Sequence, residues 1–289
     1  MGLVVLSLFD GISCGQQALH RLDVEVDAYY ASEVDTHAIT LTQHNWPNTV
    51  QLGDVQRVKY IDGVLHSEHG HHRVPHIDLL IGGSPCQGFS LAGTQQQFKD
   101  ARSKLVLDYI RVLQEVKPKY FLLENVRMPS ECVMQISNWL RPHGATLHKL
   151  NARRWSAQNR MRYYWTNIPY HDAPDCPAST MQNLVGQGYE GICSVPRGWF
   201  KGGVKLKDKC NTITANASWN YNHFVQQNGQ RRQFTVHEAE QLFGLPIDYT
   251  RGDGSNGKCR RFTFLGNGWS VPVICVLFTG LLSHYPTTI

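Results

Sequence analysis

The chain predicts an α/β protein, with a mostly parallel sheet covered by helices on both faces and a smaller loop-rich part attached. Two observations carry this. First, strand-like and helix-like stretches alternate over the first 165 residues. Leu3–Phe9, Ala28–Glu33, Ile77–Gly82 and Tyr120–Asn125 are short, apolar and rich in β-formers, and Gly15–Leu22, Asp35–His44 and Arg102–Val116 between them have helical spacing. Repeated βα units imply parallel strands joined by right-handed crossovers. Second, composition shifts after Trp165: residues 169–232 are rich in Pro, Gly, Asn, Gln and Ser and lack periodicity, and the chain turns apolar again from Phe262. The expected division is therefore 1–168 plus 262–289 as the main domain and 169–261 as the small one. Val271–Leu282 reads as a helix entered at Pro272, a residue tolerated in a first turn.

The composition narrows the classes of function. Hydrophobic residues make up 42% of the 289 and charged residues 18%, and no run of 18 apolar residues occurs. No membrane span is expected, and the opening Met1–Leu6 has neither a basic start nor a cleavage site, so a cytoplasmic location is expected. The eight cysteines (14, 86, 132, 176, 193, 210, 259 and 275) never form a C-x-x-C pair. That spacing favours reduced thiols and no metal cage. The histidine-rich stretch His66–His72 matches no structural metal pattern and reads as a solvated loop. Residues 1–150 carry 13 Lys and Arg against 15 Asp and Glu, whereas residues 151–289 carry 15 against 8. The basic half is the expected face for a polyanion.

In open parallel sheets, ligands bind beyond the carboxyl ends of the strands, so the residues there matter most. The third strand runs into Gly82-Gly83-Ser84-Pro85-Cys86-Gln87-Gly88-Phe89-Ser90. Two glycines allow a sharp turn, Pro85 stiffens it, and Cys86 is displayed just beyond the strand as a candidate nucleophile. The first strand leads into Asp10-Gly11-Ile12-Ser13-Cys14-Gly15, a glycine turn without the G-x-G-x-x-G spacing of a pyrophosphate cradle. Glu33, 18 positions after Gly15, is placed to accept ribose hydroxyls, and Asp54 to accept from an adenine amino group. Glu124 ends an apolar strand, where burial would favour a retained, donatable proton. Gln158-Asn159-Arg160-Met161-Arg162 leads into Tyr163-Tyr164-Trp165, with both arginines on one side if a strand starts there.

The Pro85-Cys86 pair resembles the nucleophile motif of the DNA (cytosine-5) methyltransferases, and further motifs follow in family order from Leu6 to about Leu281. The detail of Phe9-Asp10-Gly11-Ile12, Ala31-Ser32-Glu33-Val34, Phe243-Gly244-Leu245-Pro246 and Trp269-Ser270-Val271-Pro272 is most similar to the catalytic domain of the animal de novo enzymes. No regulatory domain precedes these motifs, which suggests a stand-alone microbial or phage enzyme of the kind found in restriction-modification. The resemblance implies a class I S-adenosylmethionine-dependent methyltransferase fold, Rossmann-like, with a small target-recognition subdomain. It implies S-adenosylmethionine contacts at Phe9, Asp10, Gly11, Ile12, Glu33, Val34, Asp54, Val55, Pro85, Asn267 and Trp269. It also implies a covalent Cys86 adduct at cytosine C6, a proton from Glu124 at N3, Arg162 contacting the ring carbonyl or fixing Cys86, and Arg160 ordering the loop. The base would be flipped out of duplex DNA, with 87–104 closing behind it. DNA contacts are expected from Ser84, Gln87, Ser90, Gln158, Thr212 and Thr214. Within a recognition region at 197–232, Arg197, Lys201, Lys205, Lys207 and Lys209 would meet phosphates, and Asn216, Trp219, Asn220, Tyr221 and Asn222 base edges. One departure is Asn211, where the family often has arginine; Lys209 is the expected substitute brace. Two other readings are a tRNA cytosine-5 methyltransferase, against which the missing Cys-Phe-Thr signature counts, and a catalytically silent DNA-binding homologue.

Overall fold

The structure is a computed structural model that describes residues 2–85, 101–173, 180–193, 206–215, 224–252, 254–283 and 285, without the side chains of 101–104 and 193. The chain divides into two compact units: residues 1–150, 161–171 and 277–289 form the first, and residues 151–160 and 172–276 the second. Relative to the division expected from composition, residues 151–160 and 262–276 belong with the second unit and 169–171 with the first. The reason is bonding rather than composition, since the Arg160 side chain is hydrogen-bonded to Ile213, Gly266 and Gly268.

The first unit is built on β1 (Leu3–Leu8), α1 (Cys14–Arg21), β2 (Val26–Ser32), α2 (Thr36–Asn45) and β3 (Val50–Gln51). Next come three short strands, β4 (Lys59–Ile61), β5 (Val64–Ser67) and β6 (Gly70–Arg73), and then β7 (Leu79–Gly83), α3 (Ala101–Val116), β8 (Tyr120–Val126), α4 (Ser130–Leu140), β9 (Thr146–Asn151) and β10 (Met161–Thr166). The main sheet has the order β3-β2-β1-β7-β8-β10-β9. Strands β3, β2, β1, β7 and β8 pair parallel, and β10 runs antiparallel to β8. Parallel strands covered on both faces should be apolar throughout rather than alternating. That is what β1 and β7 show: Leu3, Val5, Leu6, Leu8, Leu79, Leu80 and Ile81 are all fully buried. Leu6, Leu8, Leu80, Phe121 and Leu123 cluster with Val106, Tyr109 and Leu113 of α3 and Ile136 and Leu140 of α4. Asp35 caps α2 by accepting from the His37 and Ala38 amides, which sets where that helix begins.

The His66–His72 stretch is not the solvated loop expected from its polarity. It forms β5 and β6, with β4 pairing antiparallel on the other side of β5. Leu65 is fully buried and Tyr60 packs on the core cluster, so one face of this small sheet is anchored. On the other face the His66 and His71 rings meet edge-on across the strands, with centroids 4.6 Å apart. Histidine content hid a period-2 pattern that only strand pairing reveals.

The second unit contains α5 (Met181–Val185), β11 (Tyr189–Cys193), β12 (Phe224–Gln227), β13 (Gln230–Gln233), α6 (Val236–Leu242) and α7 (Lys258–Asn267), with α8 (Val271–Phe278) running from it into the first unit. Strands β11, β12 and β13 form an antiparallel sheet, so the part read as loop-dominated has a sheet of its own. Helix α6 carries a capping box in which Thr235 and Glu238 satisfy each other's backbone amides. The predicted helix over Val271–Leu282 is α8 followed by a 3₁₀ turn at Thr279–Leu281, with Pro272 at its second residue. Lys258–Leu281 is long and apolar enough to cross a membrane by composition, but it is mostly buried and divided into α7 and α8. No disulfide joins the cysteines whose side chains are described.

Gly82 marks the tightest point of the main sheet. A Cβ there would lie 2.9 Å from the Tyr109 ring and 3.0 Å from the Leu8 carbonyl oxygen. Gly82→Ala is expected to cost about 1–3 kcal/mol through overpacking, read as a lower thermal midpoint of the purified protein.

Candidate active site

The first turn of the main sheet is bent by three left-handed residues in five: Phe9, Gly11 and Ser13 have φ of 57°, 58° and 58°. This conformation is unfavourable for side chains other than glycine, so bonding must hold it. The Asp10 amide donates to the Ser32 carbonyl at 3.1 Å, and the Gly11 amide to Glu33 Oε2 at 2.8 Å. The Asp10 carboxylate accepts from Ser13 Oγ at 2.6 Å and from the Tyr29 hydroxyl at 2.8 Å. Burial pushes the Asp10 carboxyl above its usual range and the nearby Glu33 charge adds to this, while hydrogen bonds from Ser13, Ser7 and Tyr29 pull the other way.

Glu33 is the hinge of this end of the site. Besides the Gly11 amide it accepts from the Val34 and Asp35 amides, both at Oε1. Three of its roughly four lone-pair directions are thus used by backbone, and one stays open for an outside donor. Val34 beside it is 66% exposed, an apolar side chain turned to solvent. Among the described residues, nothing lies within 4 Å of the place a Gly11 Cβ would occupy. An open glycine, an apolar wall and an anchored carboxylate fit the adenosine of S-adenosylmethionine. Ile12 and Val55 are buried and Phe9 packs on the core cluster, so these three also serve the interior. Asp54 accepts from the Gln56 amide at 2.9 Å and donates its own amide to Glu68 Oε1, also at 2.9 Å. Glu68 sits in the β5–β6 turn, so the unexpected hairpin braces the Asp54 loop. A Cβ on Gly53 would run into the Glu68 carboxylate.

At the end of β7 the chain passes through Ser84, 4% exposed, to Pro85. Cys86, Gln87 and Ser90 lie outside the described residues, as do 91–100. Asn125, 1% exposed, donates to Ser84 Oγ at 2.9 Å. Parallel pairing puts Gly83 opposite Glu124. Glu124 is 8% exposed, and its Oε1 lies 3.0 Å from Arg162 Nε. Arg162 reaches Glu124 because β10 runs antiparallel beside β8, placing Arg162 opposite Val126 and Tyr164 opposite Glu124. Asn125 was not singled out from the sequence; the available signal was a polar residue at the end of an apolar strand.

In the second unit, Arg160 is 4% exposed and donates to the carbonyls of Ile213, Gly266 and Gly268 at 3.0, 3.0 and 2.8 Å. Its guanidinium also stacks over the Phe243 ring at 5.1 Å. Three carbonyls and a ring hold the group, so Arg160 acts as a positioning residue for the segment that carries Asn267 and Trp269. Asn267 is exposed and Trp269 half-buried. Lys209 Nζ donates to the Ser156 carbonyl at 2.9 Å, and Thr212 Oγ1 to the Asn159 carbonyl at 2.6 Å. Both therefore brace the unit beside Asn211. Gln158 is 1% exposed, and its Nε2 has no hydrogen-bond partner among the described residues. Lys207 and Thr214 are exposed; Lys205, Asn216, Trp219 and the 197–201 and 220–222 positions lie outside the described residues. Among the described residues, one cluster of metal-capable side chains occurs, His237, Glu240 and Asp248. Arg261 NH2 lies 2.8 Å from Glu240 Oε1 and 2.9 Å from Asp248 Oδ1, so a guanidinium supplies the positive charge there.

A sheet of this order, with one antiparallel strand after five parallel ones and an acid ending the second strand, defines the class I methyltransferase fold. The chain belongs to the C-5 cytosine-specific DNA methylase family, whose profile matches residues 3–166. It is 27% identical over 306 aligned positions to the type II methyltransferase M.NlaX of Neisseria lactamica, covering 93% of each chain. It is 34% identical to the type II methyltransferase M.NgoBV of Neisseria gonorrhoeae over 63% of this chain, and 39% identical to the orphan methyltransferase M.Rho11sI of Bacillus phage rho11s over 43%. The matched segments span 46% and 23% of those two relatives' own length. Among solved structures it resembles the Entamoeba histolytica methyltransferase EhMeth, with TM-score 0.73, 18% identity and 98% of both chains covered. It also resembles the S. pombe Dnmt2 methyltransferase, with TM-score 0.68, 18% identity and 97% and 98% covered.

Two outcomes follow from this geometry. Arg160→Ala leaves three carbonyls without their donor and is expected to destabilise the protein by at least about 3 kcal/mol, measured by denaturant unfolding. Asp10 holds its proton more tightly when folded than unfolded, so it withdraws stability as pH rises above about 3.8 through its folded value, and nothing below. Asp10→Asn is expected to flatten that part of the stability profile between pH 3 and 7, measured by thermal midpoint.

Proposed function

We propose that this protein methylates C5 of cytosine in duplex DNA, at a short recognition sequence, through a covalent bond between Cys86 and C6 of a flipped base. The observation that carries the reading is the strand-end arrangement in which Glu124 lies opposite Gly83, three residues before Cys86, and beside Arg162. Cytosine C5 is a poor nucleophile, and addition of the Cys86 thiolate to C6 makes it an enamine carbon. Charge gathering on the ring is met at N3 by a proton from Glu124, with Arg162 holding that carboxyl in place. When bound, S-adenosylmethionine supplies an electrophilic methyl on a sulfonium. Asp10, Glu33, Val34 and Asp54 bind and orient its adenosine. A base or water then takes the C5 proton, the C6–S bond breaks with its electrons returning to sulfur, and Cys86 leaves as thiolate. Asn125 fixes the turn before Cys86 through Ser84. Membership of the cytosine methylase family and relatives named as type II methyltransferases support DNA as the substrate.

The test is incubation of the protein with labelled S-adenosylmethionine and unmethylated genomic DNA, followed by bisulfite sequencing. Methylated cytosines in a short shared context are expected, and label on tRNA with none on DNA would overturn the substrate. Glu124→Gln is expected to lower the methylation rate about 10²-fold or more with little change in DNA affinity, and Cys86→Ser to abolish it.

A further inference from the structure

The hairpin β12–β13 of the second unit has a feature that the catalytic machinery does not use. Its two-residue loop, Asn228-Gly229, has φ of 51° and 73°, the left-handed pair that matches the twist of a tight hairpin. Pairing sets Gln226 opposite Arg231 and Phe224 opposite Gln233, and alternation puts these four on one face. The opposite face is the anchored one: Val225 is fully buried, and Arg232 pairs with Glu238 of α6. Arg231 and Gln233 are exposed on β13, which is the edge strand of its sheet.

Two side-chain hydrogen bonds described on the open face end on carboxamide oxygens. Arg231 Nε donates to Gln226 Oε1 at 3.2 Å, and Lys258 Nζ donates to Gln233 Oε1 at 3.1 Å. Each carboxamide oxygen thus already holds one donor within the face. Two terminal guanidinium nitrogens, an ammonium and two carboxamide NH₂ groups remain as donors, and they outnumber the lone pairs left on the two carboxamide oxygens. Among the described residues the neighbouring carboxylates are engaged elsewhere, Glu190 by the Gly229 amide at the hairpin tip and Glu238 by Arg232. A two-stranded ribbon is of a size to enter the major groove of B-form DNA, where guanine alone presents two adjacent acceptors, O6 and N7.

We propose that this face reads a guanine in the recognition sequence, with the Arg231 fork as the specificity-determining group and Gln226 orienting it. The proposal rests on the duplex-DNA reading above and narrows it to one base and one side chain. Gln226 holds Nε, which leaves the two terminal nitrogens parallel and free for a bidentate contact. Lysine in place of Arg231 keeps the charge and loses the fork, so the two substitutions separate base reading from phosphate contact.

The test compares bisulfite-sequenced methylation of genomic DNA by the wild-type protein, Arg231→Lys, Arg231→Ala and, as a control on the anchored face, Gln230→Ala. Expected is a wild-type context containing a required guanine. Both Arg231 variants should relax that position alone, with discrimination there falling about ten- to hundredfold, while Gln230→Ala keeps the context. An unchanged context in both Arg231 variants overturns the proposal. So does a uniform loss across all sequences that Arg231→Lys rescues, with the salt slope of binding reduced by about one in Arg231→Ala, since that is a phosphate contact. Wild-type protein that leaves all DNA unmethylated overturns the duplex-DNA reading, and this proposal with it.

Discussion

The register between β7 and β8 is the constraint on which the first unit depends. Parallel pairing opposite Gly83 brings a carboxylate from one strand to the end of another that leads directly to Cys86. A slip of one residue would turn Glu124 to the other face and bring Asn125 or Leu123 into its place. Register is secure because both faces of these strands are buried. Leu80, Ile81, Leu122 and Leu123 are each fully covered, and any slip would exchange packed apolar contacts for clashes and voids. The apolar interior thus sets the position of a buried charge, and the charge is tolerable there because Arg162 arrives on an antiparallel neighbour.

A second pattern recurs in both units: single charged groups are used to hold several backbone groups at once. Glu33 collects three amides and fixes the bend after β1. Arg160 collects three carbonyls and fixes the segment around Gly266 and Gly268. Gly266 has no alternative there, since a Cβ would collide with the Thr214–Ala215 backbone. Multiple backbone partners make such anchors stiff, because each bond removes a separate freedom and no flexible side chain lies between the charge and the main chain. Glu240 combines both uses in the loop between α6 and α7: it accepts from the Thr250 and Asp248 amides and also pairs with Arg261.

The sequence was legible where physics is local or periodic. Continuous apolar runs identified β1, β7 and β8, and the glycine turn after β1 and the acids at strand ends followed from position along the chain. It was misleading at His66–His72, where histidine content concealed a strand pair. It was also misleading at 169–232, where short strands separated by polar residues leave almost no periodic signal. Asn125 went unnoticed because its role is to hold a serine 41 positions away.

What the sequence determined by itself, then, was the fold class, the strands that matter and the residue types at their ends, because burial and turn chemistry act over a few neighbours. What only the tertiary structure decided was which side chain meets which. The pairing of Glu124 with Arg162, the capture of Arg160 and Lys209 by carbonyls, the bracing of Asp54 by Glu68 and the donor-rich face of β12–β13 all join residues that chain spacing does not relate. Those contacts depend on register and on the direction of each strand, and both are fixed only when the sheets close.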